Sequence, residues 1–232
     1  MKDITETEQD FEAFLYIVTH DLKTYARAMR VIPEWIEEDL GDSDITLPEG
    51  VAQHMEMLKA YAKGLDRVLE GLTELSRVGR LSDAPAPVAL ARVFAETWEH
   101  LPDREGFSLD LSDCAGTVLG PPNDLGRLAH ALLSNPILHH HEGGGRIRLN
   151  SSTAGGRVVL TVLDDGPGIE PPYREKVFEP LYCMRPREET GAAGVGLAVA
   201  RKVVQALGGE IAVIDVPGHN GCCMQLDLPA AL

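Results

Sequence analysis

The chain has 232 residues, 44% hydrophobic and 25% charged, enough for one large domain or two small ones, each with a real core. Its formal net charge of −15 argues against nucleic acid and anionic membrane as partners. Four cysteines with no C-x-x-C pair, a polar N-terminus and no apolar run near the ~20 residues that span a bilayer predict reduced thiols, a cytoplasmic location and no membrane segment.

In chain order, Phe11, Leu15, Val18, Leu22, Tyr25, Met29, Ile32 and Ile36 recur at alternating spacings of four and three, a heptad seam. Pro33 interrupts it and is expected to kink the helix or loosen its last turns. Gly41 to Gly50 reads as a loop, and a second helical pattern runs from Val51 to Leu75. One hairpin cannot bury both seams, so the pattern predicts a homodimeric four-helix bundle. Ser82 to Pro87 reads as a linker. Beyond it, Val88–Leu101, Asp124–Leu138 and Val195–Leu207 read as helices. Gly106–Leu111, Arg146–Asn150, Arg157–Leu163, Glu210–Asp215 and Cys222–Leu228 read as strands. With no βαβ rhythm, an α+β sandwich is expected rather than a parallel sheet. The boundaries predicted are 1–81 for the helical hairpin and 86–232 for the second domain.

With Leu15 at position a, His20 falls at f, facing away from the seam. Asp21 is beside it, and Thr24 lies one turn on, ~6 Å along the axis. An exposed imidazole next to a carboxylate suits nucleophilic chemistry, because the carboxylate holds one ring proton and leaves the other nitrogen free. The same residues also describe an ordinary surface histidine on an amphipathic helix. FLYIVTHDLKTYARA resembles the H-box of sensor histidine kinases. The resemblance implies that His20 is the phosphoacceptor, that Asp21 activates it and that Thr24 orients a water for dephosphorylation of a partner regulator. Tyr25 stands where many members have proline.

Four later segments stand in the order of that family's Bergerat-type ATP-binding domain. LLSNPILHH resembles the N-box, which makes Asn135 the Mg²⁺ ligand; an amide oxygen suits that hard cation. DDGPGI resembles D-x-G-x-G. Asp164 would then accept from the adenine amino group, while Gly166 and Gly168 let the backbone pass close to the base; alone, the segment reads equally as a tight turn. VFEPLY resembles the F-box, with Phe178 as a hydrophobic anchor under the ATP lid. RPREETGAAGVGLAVARK resembles the second glycine box. There Gly194, Gly196 and Leu197 would meet the nucleotide at a helix N-terminus, and Arg185 and Arg187 would reach the phosphates from the lid. Ala131, Pro136, Leu138 and Ala192 depart from the family pattern, and Pro136 is expected to distort the helix that aims Asn135. Consecutive histidines cannot converge on one ion, so His139, His140 and His141 are not read as a metal site.

The resemblance therefore implies a kinase core that uses ATP and Mg²⁺, autophosphorylates His20 and passes the phosphoryl group to an aspartate of a response regulator receiver domain, with possible phosphatase activity. The alternatives are a histidine phosphotransferase on the same scaffold with little or no ATP turnover, and a Bergerat-type ATPase without phosphohistidine.

Overall fold

The computed structural model describes residues 2–43, 47–80 and 82–231. It divides into two compact units, Met1–Ser76 and Arg77–Leu232.

The first unit is a helical hairpin of α1 (Lys2–Asp42) and α2 (Glu49–Arg77). The loop expected at Gly41–Gly50 is shorter than the sequence suggests, and residues 44–46 lie outside the described ones. Loosening beyond Pro33 does not occur: α1 runs on to Asp42. A proline removes a single N–H, and the following turns keep their own hydrogen bonds. Arg30–Asp66 at 3.9 Å and the Glu37–Lys59 ion pair cross the hairpin and fix its antiparallel register.

The heptad seam read from the sequence is not the buried face of the hairpin. Thr19, Ala26 and Pro33, spaced by sevens, are buried on α1, and Ala62 and Leu69 are buried on α2. Small side chains allow close approach at these positions. Leu22, Tyr25, Met29, Ile32 and Ile36 are exposed instead. The side chain of Phe11 lies outside those described.

The second unit places helices on one face of a mixed sheet. Its order is β2 (Phe107–Asp113), β4 (Gly145–Ala154), β5 (Arg157–Asp164), β7 (Cys223–Pro229) and β6 (Glu210–Val213). Only β2 and β4 are parallel. A small antiparallel pair, β1 (Ala86–Ala89) with β3 (Thr117–Gly120), closes one end. Sequence reading misses both strands, taking β1 as linker and the start of a helix. The covering helices are α3 (Leu90–His100), α4 (Pro122–His139) and α6 (Gly196–Ala206). A short α5 (Arg187–Thr190) lies in the segment before α6.

Strand alternation sorts the faces. Ile147, Leu149, Val158, Leu160, Leu226 and Leu228 are buried with Phe94, Leu125, Leu128, Leu132 and Val203 of the helices. Each such side chain contributes roughly 1.5–3 kcal/mol by leaving water. Arg146, Arg148 and Gln225 alternate with them and face solvent. Asp164 ends β5 on the buried face, so the alternation that builds the core also puts a carboxylate at its edge.

Pro136 does not distort α4 enough to end it. The helix continues to His139, and the His140 N–H still donates to the Pro136 carbonyl at 2.9 Å.

Candidate phosphoacceptor helix and nucleotide site

On α1, the His20 side chain is 73% exposed. Its Nδ1 lies 3.3 Å from Asp21 Oδ1, and its ring stacks on Tyr16 with centroids 6.4 Å apart. With Nδ1 held by the carboxylate, Nε2 has no protein partner among the described residues and is the nitrogen open to an electrophile. Thr24 is exposed, as the f and c positions predict. Thr19, immediately before His20, is buried and donates to the Leu15 carbonyl at 2.8 Å, fixing which way the helix turns at this point.

In the second unit, Asp164 is buried, and its Oδ1 accepts two backbone N–H groups, Gly166 at 3.0 Å and Cys222 at 3.3 Å. Burial pushes its carboxyl above the usual range against the pull of those donors. Oδ2 makes no hydrogen bond to the described residues and is the oxygen left for a ligand donor. Glycine is required around it. A Cβ on Gly221 would sit 1.7 Å from the Asp164 carbonyl oxygen, and one on Gly166 would sit 2.9 Å from Oδ1. Gly168 has φ +72°, left-handed backbone that favours glycine.

Asn135 lies on α4, partly exposed, and its amide makes no hydrogen bond within the described residues. That leaves its oxygen available to a hard cation. Among the described residues no group of three or more His, Cys, Asp or Glu could hold a metal ion. His139, near the end of α4, is pushed below its usual range by burial and by the nearby Arg185 charge.

Phe178 is buried beneath the Arg201 guanidinium, 4.1 Å from its ring centroid. Arg201 also pairs with Glu175 at 2.8 Å. Gly194 has φ +71°, and a Cβ there would lie 2.6 Å from Cys183 Sγ and 2.7 Å from the Tyr182 carbonyl. Gly196 opens α6, and Val195 supplies no side-chain cap to the first N–H groups of that helix. Leu197, one residue on, is buried. Arg185 and Arg187, both exposed, bond to residues of their own segment. Arg187 donates to the Leu181 carbonyl at 2.7 Å, and Arg185 pairs with Glu189 at 3.4 Å. Leu181 is held at φ +67°.

Sequence reading misses Gly221 and Cys222, which shape the surroundings of Asp164, and Arg201, which holds Phe178. Only the φ-independent clash at Gly221 makes it obligatory, and no local pattern signals that. The four cysteines are free.

Residues 120–232 match the model of the histidine kinase-, DNA gyrase B- and HSP90-like ATPase family. The chain is 32% identical over 224 residues to the probable sensor histidine kinase TcrY of Mycobacterium tuberculosis, covering 93% of this chain and 45% of that protein. The fold is similar to full-length ShkA in complex with AMPPNP, with TM-score 0.65 and 21% identity over 94% of this chain and 46% of that one. It is also similar to the histidine kinase ThkA in complex with the response regulator protein TrrA, with TM-score 0.63 and 18% identity over 99% of this chain and 66% of that one. The chain thus spans less than half the length of TcrY and ShkA. Residues 120–232 thus match that ATPase family, and the chain as a whole is similar in sequence and fold to the catalytic core of sensor histidine kinases.

Proposed function

We propose that the chain is an ATP-dependent protein-histidine kinase that phosphorylates His20 and hands the phosphoryl group to an aspartate of a response regulator receiver domain. Residues 1–81 then form the dimerisation and phosphoacceptor hairpin, and 86–232 the catalytic domain. The observation that carries the reading is the exposed His20–Asp21 pair on a helix that precedes an ATPase-family domain with a buried adenine-type carboxylate, Asp164.

The chemistry follows from the groups present. ATP enters with its adenine amino group on Asp164 Oδ2 and its phosphates toward the α6 N-terminus. Gly194 and Gly196 allow backbone approach, Phe178 anchors the lid and Leu197 packs behind it. Arg185 and Arg187 exchange their contacts within the lid for the phosphates. Asn135 would hold Mg²⁺, which neutralises phosphate charge when bound. His20 Nε2 forms a bond to the γ-phosphorus as the bond to the β–γ bridging oxygen breaks and ADP leaves. Asp21 holds the Nδ1 proton and stabilises the charge that develops on the ring. The receiver aspartate then takes the phosphoryl group from Nε2, and Thr24 orients a water for the reverse, phosphatase role. Among the described residues no helix is long and apolar enough to cross a membrane. We place the chain in the cytoplasm, where ATP and receiver domains are found, and as a homodimer through the hairpin.

The test is incubation with γ-labelled ATP and Mg²⁺. Acid-labile, alkali-stable label on the wild type and none on His20→Ala is expected. Label on neither protein, with the wild type folded, would replace the kinase with the phosphotransferase reading. Label retained on His20→Ala would remove His20 from the mechanism.

A further inference from the structure

We propose that His140 is a positioning residue that ties the end of α4, the helix carrying Asn135, to the Asp164–Gly168 turn through Asp165. The inference rests on the reading that this unit binds an adenine nucleotide.

His140 stands in a run of three histidines where a helix ends, a place where a histidine is ordinarily solvated. Its side chain is nevertheless only 3% exposed. Both ring nitrogens face polar groups. The Glu142 N–H donates to Nδ1 at 3.2 Å, which makes Nδ1 the acceptor and leaves the proton on Nε2. Nε2 faces Asp165 Oδ1 at 3.3 Å, an electrostatic contact rather than a well-aligned hydrogen bond. The same Oδ1 accepts the Arg146 N–H at 2.7 Å. Burial opposes ionisation of Asp165, but the backbone N–H groups of Arg146 and of Asp165 itself, with His140 behind them, outweigh it and hold its carboxyl below the usual range. The ring edge meets Phe107 at 5.6 Å and 89°.

The backbone is cut to fit this ring. A Cβ on Gly145 would lie 2.8 Å from His140 Nε2 and 2.6 Å from Asp165 Oδ1, and one on Gly166 would lie 3.4 Å from the ring. Three segments therefore meet on one imidazole: the end of α4, the start of β4 and the turn after β5. Two of them carry opposite ends of the proposed nucleotide site, Asn135 for the phosphates and Asp164 for the base. His140 fixes the span between those ends, and this gives Asp165, a variable position of D-x-G-x-G, its task. A phenylalanine would keep a buried aromatic ring but leave the Glu142 N–H without its acceptor and Asp165 without its contact to Nε2–H. His141 stacks on His140 at 4.9 Å but stays half exposed, and its one ion-pair contact among the described residues is to its neighbour Glu142, so it serves as the internal control.

The experiment measures ADP affinity by calorimetry, with and without Mg²⁺, beside the melting temperature of the nucleotide-free 232-residue chain. His140→Phe should weaken ADP about tenfold, the scale of one contact to a charged group, with the melting temperature nearly unchanged. His140→Gln, which returns a polar N–H toward Asp165, should recover most of that loss, and His141→Phe should bind as wild type. Asp165→Ala should match His140→Phe, and the double variant should lose no more than either single one. Asp165→Ala also decides the matter if His140→Phe fails to fold. Wild-type affinity in His140→Phe or Asp165→Ala, or an equal loss in His141→Phe, would overturn the proposal. A folded wild type that binds no ADP would overturn both this inference and the nucleotide reading beneath it, whereas the variant pattern alone overturns only the inference.

Discussion

Asp164→Asn separates the two demands placed on that carboxylate. Oδ1 accepts the Gly166 and Cys222 N–H groups, so the asparagine must place its amide oxygen there and its NH₂ where Oδ2 was. That NH₂ then faces the adenine amino group, donor against donor. Loss of a hydrogen bond to a charged group costs about 1.5–3 kcal/mol, so ADP affinity should fall ~10- to ~150-fold. An NH₂ at that position can instead donate to the O6 of guanine, so the ratio of GDP to ADP affinity should rise. Stability should move the other way. Burial raises the Asp164 pKa in the folded chain. Its contribution is therefore fully present below the unfolded carboxylate pKa, about 3.9, and is lost as pH rises through the folded value. Asparagine carries no such loss. Melting curves from pH 3 to 8 should put the variant level with or above wild type at pH 8, with the difference closing toward acid. Unchanged ADP affinity would remove Asp164 from base recognition, and a variant less stable than wild type at pH 8 would refute the burial argument.

Gly221→Ala puts a Cβ 1.7 Å from the Asp164 carbonyl oxygen, so the backbone must move; calorimetry and melting should show ADP binding and stability falling together. Arg201→Met removes the guanidinium over Phe178, worth about 1 kcal/mol, and should lower the melting temperature by ~3 °C. In a Phe178→Leu background the same substitution should cost less, which a double-mutant cycle reads directly. Asp227 is held below the usual carboxylate range by the Arg157 guanidinium, which meets it at 2.7 Å. Its stabilisation is present above the unfolded carboxylate pKa and lost as pH falls through the folded value. Asp227→Asn should therefore lower the melting temperature at pH 7 and leave it unchanged near pH 2.

The parts legible in the sequence are those whose signal is local. The long helices, the spacing of His20, Asp21 and Thr24, and the glycines of the Asp164 turn need only their neighbours to be recognised. The strand β1 hides in Ala86-Pro87-Val88-Ala89, where Pro87 argues against a strand; it forms by pairing with β3, a partner distant in the sequence that no local pattern announces. The roles of Gly221 and His140 are tertiary for the same reason. Gly221 is constrained by a carbonyl on another strand, and His140 is buried by a loop and two strands that the run of histidines does not announce. Arg187 looks like a free lid cation in the sequence, but it is bound to a backbone carbonyl that only the path of the lid brings near.

The hairpin carries the same distinction between local pattern and partner. Its sevenfold spacing of Thr19, Ala26 and Pro33 brings α1 and α2 together, leaving Leu22, Tyr25, Met29, Ile32 and Ile36 on α1, with Leu58 and Tyr61 on α2, in water. A helix needs two apolar faces only if it has two neighbours, and a hairpin supplies one. Burying the exposed half of each of these side chains is worth on the order of 1 kcal/mol. Summed over two chains, this is comparable with the ~4–15 kcal/mol cost of association. The dimer is therefore expected to form and to depend on concentration. Met29→Glu with Ile32→Glu sets like charges against the stripe without touching the buried face of the hairpin. Light scattering should find the wild type dimeric and the double variant monomeric, with reduced helicity. ADP affinity should be equal in both, because the ATPase unit has its own core. A wild type that is monomeric yet fully helical at tens of micromolar would mean that the stripe serves something other than a second hairpin.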